Sequence, residues 1–461
     1  MMQSTAVPDL LLKRTKRFFW LFSILACVVT PLSYGATSIT QFGITWTFDR
    51  DYPIGQFANG DYWVIGPVKI VSITPSSSPS PSFGPNPRIM HGSMVNPVPT
   101  PNDGNKNPTQ GYDSAMYERY GPHYDSRLNF ALNVLANDPL PPGSSLVSTI
   151  SLPKPGVRPQ LKTAAVLTVL SEAPPAGSFR PPYSGTDKRI DYNKSDLDYS
   201  IITKPFLKRS ELQHVPSLSD LESQFEKPWI DHISSWHSQY FHPQGNLPSY
   251  GREIAKAIAN AALSLMLDYS NGEKETLLIR FVQLGIDLYG IAEAGGKWPE
   301  NGGHMHGRKL PILMAGLVLN DPDMLDLIDA SKHFIFQEDR QTWFVEKRDV
   351  GRKVDQRPPR DPRERYLRED IDMPEWGIMH IRRESADDRR WKAAYRDIVG
   401  SSILGHVLAA RLLDAEESLW KWPPLFAYAD RFWNLEKDRT IGGTNEISLF
   451  VKELWLVWQQ Q

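Results

Sequence analysis

The change of hydrophobic period near residue 216 restricts the folds open to this chain more than any other feature. Before it, apolar residues alternate with polar ones in short runs at 41–48, 62–65, 68–73, 146–150 and 164–170. Side chains of a strand point to opposite faces in turn, so such runs make half-buried strands. A Ser/Pro-rich stretch (76–87) and a turn-rich stretch (96–111) lie between them and can bury little. After residue 216 the apolar spacing becomes helical. Helices are expected at 217–236, 255–269, 273–292, 310–319, 323–336, 391–413, 419–432 and 445–459, with 340–388 breaking the pattern. The expected fold is multidomain α and β: an N-terminal antiparallel β-sandwich (36–185), a polar connection (186–215), and an α/α-toroid-like helical domain (216–461).

Residues 1–35 read as a signal peptide. Lys13-Arg-Thr-Lys-Arg17 is a basic n-region, 18–32 an apolar h-region, and Ser33-Tyr-Gly35 offers small residues for cleavage before Ala36. The apolar run is short for a membrane span, so a secreted, periplasmic or extracellular protein is expected, with no membrane contact after cleavage. Cys27 is the single cysteine, so the remainder can form neither a disulfide nor a thiolate metal site. A net charge of -2 argues against a nucleic-acid partner. The chain has 14 Trp, 17 Tyr and 19 Phe, residues that stack on sugar rings and fill cores equally well. No oligomeric state is read from the sequence.

The densest polar stretch is Lys297-Trp-Pro-Glu-Asn-Gly-Gly-His-Met-His-Gly-Arg-Lys309, set between two apolar helices. Its glycines allow a backbone to approach a ligand closely. His304 and His306, two residues apart, could act as a base and a positioning group. Metal ligation would need a third ligand such as His380 or Glu375. No cofactor is called for, and a divalent cation stays open as an auxiliary. Arg252 and Arg308 could clamp a carboxylate with paired hydrogen bonds. Lys309 and Arg396 add positive charge, and Trp298 and Trp376 offer stacking faces. Glu300 and Glu375 could serve as the two carboxylates of a glycosidase. The bland alternative for each is a helix-end ion pair, a core aromatic or a solvated loop.

A β-eliminating lyase needs other parts. The C5 proton of a uronic acid becomes removable when the adjacent carboxylate is neutralised and a His or Tyr base is within reach. Asn301, His304, His306, Arg308 and tyrosines Tyr250, Tyr366 and Tyr395 supply that set. The string Asn-Gly-Gly-His-Met-His-Gly-Arg between buried helices, in an exported chain with a β-rich portion, resembles the α/α-toroid polysaccharide lyases acting on alginate, glucuronan or glycosaminoglycans. The resemblance covers roughly 216–461. It implies a lyase for an anionic polysaccharide or oligosaccharide, with His304, His306, Tyr250, Arg308 and Asn301 catalytic and the remaining residues named above binding substrate. Those families place the β-domain after the helices, whereas here it comes first. A glycoside hydrolase using Glu300 and Glu375, and a surface carbohydrate-binding protein without turnover, are the rival readings.

Overall fold

Strand residues of the N-terminal half build one large sheet that is mostly antiparallel. The computed structural model describes residues 34–80, 87–99, 109–116, 123–233, 235–246, 251–352, 365–377, 393–438 and 446–461, with the side chains of 34, 235, 236 and 393–396 left aside. The strands are β1 (Tyr34–Gln41), β2 (Ile44–Gln56), β3 (Tyr62–Ile65), β4 (Ile70–Thr74), the two-residue β5 (Pro79–Ser80) and β6 (Arg88–Ile89), β7 (Ser93–Val95), the two-residue β8 (Thr109–Gln110) and β9 (His123–Tyr124), β10 (Ser144–Ser151) and β11 (Leu161–Leu170). The main sheet runs β1-β2-β3-β11-β10-β7, and β4 also pairs with β2. The long strand β2 makes this branching: Thr45 to Phe48 pair with β4, and Ile54 to Gln56 pair with β3. The Trp46 indole crosses to donate to Ser148 Oγ on β10 at 2.9 Å, so the first half of β2 lies over the β10 face. A sheet folded over itself stands in the N-terminal half, where a β-sandwich was expected. The β3–β11 pair is parallel, so the sheet is not wholly antiparallel.

The alternation in β10 and β11 sends side chains into two different cores. Leu146, Ala165, Leu167 and Val169 join Trp46, Ile54 and Val64 in a core internal to the strands. Val147, Ala164 and Val166 join the large core of the helices. The period of two that marks these strands thus puts one sheet face against the helical half. Residues from Pro31 to Gln461 cluster as one unit. The stretch 186–215, expected as a connection, is itself packed: Leu197, Ile202 and Leu207 are buried in the helical core, and Asp198 N–H bonds Val318 O at 2.8 Å. Tyr34 and Gly35, assigned to the leader, are the first residues of β1, paired with Ile54 and Pro53. The rest of the expected leader and its cleavage motif lie outside the described residues.

The helices are α1 (Leu218–Gln224), α2 (Gly251–Leu265), α3 (Asn271–Glu293), α4 (Lys309–Val318), α5 (Pro322–Ile328), α6 (Gln337–Arg340), α7 (Ala393–Leu412), α8 (Pro423–Glu436) and α9 (Leu449–Trp458). α3 starts at a capping box in which the Ser270 hydroxyl takes the Glu273 N–H and the Glu273 carboxylate takes the Ser270 N–H. α3 packs on α4 and α2 on α7. The expected helix 217–236 stops at Gln224, because Pro228 has no N–H to donate and disfavours helix before it. The expected helix 323–336 ends at Ile328, where the Asp329 side chain takes the Ser331 N–H at 3.0 Å. A second short helix, α6, follows, flanked by β12 (Thr342–Phe344), which pairs with β13 (Pro374–Trp376). Among the described residues no helix is long and apolar enough to cross a membrane.

A buried ion triad joins sheet and helices. Arg180, fully buried, donates to Asp61 Oδ2 at 2.7 Å and to both oxygens of Asp287 on α3 at 2.9 and 2.6 Å. Burial works against its charge, but the two carboxylates outweigh it and raise the guanidinium pKa.

Candidate functional site

The glycine-rich loop is held by α6 and the residue after it, five consecutive side chains that all reach into it. Gln337 Oε1 takes the Met305 N–H at 2.7 Å. Glu338 Oε1 takes the Gly307 N–H at 2.6 Å. Asp339 Oδ2 takes the Lys309 ammonium at 2.6 Å. Arg340 pairs with Glu300. Gln341 meets His306 Nε2 at 2.7 Å and donates to Gly302 O at 2.8 Å. The loop can take this path because Gly302 and Gly307 adopt φ of 57° and 99°, conformations that side chains resist. Gly251 seats the first turn of α2 on the loop: a Cβ there would stand 2.2 Å from His304 Cα.

Beneath the loop sits a second set of partners. Arg308, 1 % exposed, gives Nε and Nη2 to the two oxygens of Asp231 at 2.8 and 2.9 Å, and Nη1 to the carbonyls of His304 and His306. The Trp298 indole donates to the same Asp231 at 2.7 Å, and its ring stacks on Phe336 with centroids 5.2 Å apart. His242 Nε2 lies 3.3 Å from Asp231 Oδ1, within ion-pair reach but misaligned for a hydrogen bond. Burial opposes ionisation of Asp231, yet the Arg308 guanidinium and its bonds hold the carboxyl well below the usual carboxylate range. Burial pulls the Lys309 ammonium down and pushes Asp339 up to about 6, against the Coulombic pull between them; the Trp420 indole donates to the other Asp339 oxygen at 2.6 Å.

The imidazoles stand out by what they lack. Burial lowers His306 and His406 to about 4 each, so both are neutral at pH 7. His306 Nδ1, His406 Nδ1 and Glu338 Oε2 are buried and meet no hydrogen-bond partner in the protein. They share the neighbourhood of Gly307: a Cβ there would lie 3.4 Å from His406 Cε1, and its N–H binds the other oxygen of Glu338. Buried polar atoms are nearly always paired, so a group of orphans needs an occupant or a purpose.

No protein-family model, curated protein or solved structure matches this chain. The residues themselves therefore carry the reading.

The structure brings Trp298, Glu300, Asn301, His304, His306, Arg308 and Lys309 together with Trp376 and Glu375. It gives several of them uses other than those expected. Arg308 was expected to clamp a substrate carboxylate, but Asp231 and two carbonyls take its donors. Lys309 is committed to Asp339, and Glu300 to Arg340. Trp298 and Trp376, each 1 % exposed, have no face open to a sugar; the Trp376 indole donates to Gln341 Oε1 at 3.2 Å. Glu375 is buried, accepts the Tyr366 hydroxyl at 3.1 Å and lies 3.5 Å from Arg431 Nη1. Arg252 sits beside Glu253, at 3.9 Å, in the first turn of α2. Tyr250 and His380 lie outside the described residues, as do the side chains of Tyr395 and Arg396. Among the described residues no three His, Cys, Asp or Glu side chains are placed to hold a metal ion.

Sequence reasoning missed Asp231, His242, His406 and all of 337–341. The available signal was the run Gln-Glu-Asp-Arg-Gln directly after apolar 334–336, too polar for a core helix and too dense for an ordinary turn. A cavity of about 650 Å³ lies elsewhere, lined by Tyr192, Tyr289, Asp321 and Glu293 among others, and shares no residue with the loop.

Proposed function

We propose that the chain is an exported carbohydrate-active enzyme that cleaves a uronic-acid-containing polysaccharide by β-elimination. One observation carries this reading: a neutral His306 with an unpaired ring nitrogen, fixed beside His304 and Asn301 on a braced loop. A base that is uncharged at neutral pH can accept a proton, which a saturated structural histidine cannot. In the reaction His306, which is closed off from solvent in this structure, takes the C5 proton once the loop admits the sugar. The C5–H electron pair becomes the C4=C5 double bond, the C4–O bond breaks, and a tyrosine gives its proton to the leaving oxygen. Tyr250, next in sequence to the glycine that seats on His304, is the residue we assign as this acid. Asn301 and Arg252 neutralise the substrate carboxylate in place of Arg308, which shapes the loop. A separate glycan-docking reading finds no observation that favours it.

The hydrolase reading is weaker on the same geometry. A glycosidase keeps one carboxyl protonated in an apolar setting. Glu300 is ion-paired to Arg340, and Glu375 lies 3.5 Å from Arg431, so neither sits in such a setting.

The test is incubation of the secreted protein with alginate, glucuronan and glycosaminoglycans while ultraviolet absorbance of an unsaturated product is followed. The absorbance should rise, and His306→Asn should reduce the rate on the order of 10²–10⁴-fold. New reducing ends without that absorbance, abolished by Glu300→Gln, would replace elimination with hydrolysis.

A further inference from the structure

Two amides and one indole decide which nitrogen of His306 carries hydrogen. The Met305 backbone N–H can only donate, and it meets Gln337 Oε1 at 2.7 Å. The Gln337 NH₂ therefore faces the other way, toward Gly302 O at 2.5 Å and Gln341 Oε1 at 2.8 Å. The Trp376 indole N–H, also a donor only, reaches the same Gln341 oxygen at 3.2 Å. The Gln341 NH₂ is turned to Gly302 O. These two donor-only groups are independent, and they give the same orientation of Gln341. The oxygen that faces His306 Nε2 at 2.7 Å can then only accept. His306 carries its hydrogen on Nε2, and Nδ1 is left as a buried lone pair with no protein partner.

We infer that Gln341 is a positioning residue that presents His306 as an Nδ1 base, and that Gln337 and Trp376 exist at this place to keep Gln341 from turning over. Its effect on turnover rests on the lyase reading; the tautomer does not. A turned-over amide would offer NH₂ to Nε2, move the hydrogen to Nδ1 and abolish the base. His406 has the same form by a separate route, since its Nε2 meets the Ala255 carbonyl at 2.8 Å without any contact to Gln341. It is the internal control.

The full chain, labelled with ¹⁵N histidine, is studied at neutral pH by long-range proton–nitrogen correlation. The His306 signals are assigned by their loss in His306→Asn. The expected pattern is a neutral ring protonated at Nε2, for His306 and His406 alike. Gln341→Glu places a carboxylate against Nε2, which favours the imidazolium, so the His306 titration should move up by about one pH unit or more while His406, which feels the His306 charge, does not rise. The acid limb of the pH–kcat profile should move with it, with little change in KM. Trp376→Phe removes one anchor and leaves the Gln337 anchor, so the tautomer should persist; this variant and the unmodified protein decide the matter if Gln341→Glu does not fold. An Nδ1-protonated or charged His306 in the unmodified protein overturns the inference, as does a Gln341→Glu protein whose His306 titrates unchanged. The expected tautomer without unsaturated product from any uronate polymer would sink the lyase reading and leave the positioning role intact. Product formation with His306 protonated at Nδ1 would do the reverse.

Discussion

Arg180 and Arg308 are both buried, both fully bonded and both fixed by aspartate, yet their neighbourhoods differ. Around Arg180 the direct partners are matched: Asp61 also takes Gln41 and Asn59, and Gln283 bonds the Arg180 N–H with its oxygen and the Arg180 carbonyl with its nitrogen; the side-chain oxygen of Gln41, a step further out, is the orphan there. Around Arg308 the backbone is equally well braced, but ring nitrogens of His306, His406 and His242 and one oxygen of Glu338 go without. The first place is a clamp between sheet and α3. The second is a clamp that keeps unsatisfied groups in position, a surplus that the proposed elimination would use and a joint would not.

The largest expected effect separates the two. Arg180→Met leaves Asp61 and Asp287 buried without their cation and should cost about 3–5 kcal/mol in urea unfolding. On the proposed lyase reading, turnover per folded molecule should be unchanged. A cost below about 1 kcal/mol would show that the two carboxylates do not depend on Arg180.

The next effect is a pH window set chiefly by the buried imidazoles around the His306 loop. An imidazole held at about 4 in the folded protein takes its proton later than the unfolded chain does near its ordinary value. The unfolded state therefore gains protons first as pH falls, and stability is lost below about pH 6.5. His306 and His406 should each remove about 1–2 kcal/mol between pH 6.5 and 5. Burial depresses His232 and His242 in the same direction. His91 is lowered as well, while Asp339, raised to about 6, and Asp287, also raised by burial, bind their protons more readily when folded and oppose this slope. Urea midpoints at the two pH values measure the net loss, and a His306→Asn/His406→Asn double variant should flatten the slope. An unaltered slope would remove the imidazoles from the explanation.

The smallest effect touches neither place and sets the scale. Ser270→Ala removes one half of the α3 capping box and should cost about 1 kcal/mol, with no effect on the pH slope.

Local pattern found the helical half well: α3, α4 and α7 fall within two residues of their expected ends. It failed where the deciding interaction is distant. Nothing in Tyr62–Ile65 says that it pairs in parallel with a strand a hundred residues later, or that Ile44–Gln56 bends to serve both neighbours. At the loop, sequence singled out the histidines and gave the charged residues to a substrate, whereas Arg308, Lys309 and Glu300 are held by Asp231, Asp339 and Arg340. Spacing along the chain does not reveal that Asp231 lies under Arg308, or that a four-residue helix of charged type turns inward. Helix α6 reads as a solvated turn because its residues are polar. They are buried because the glycine-rich loop offers each of them a complementary group.

The bracing of Gly302–Lys309 by Gln337–Gln341 sets a rule for anyone who would transplant this loop. Moving the histidine loop into another scaffold would carry its side chains but not the grip that shapes them. A graft that omitted the pentapeptide would deliver the same letters in a different shape, so the two segments form one heritable unit despite the chain that separates them.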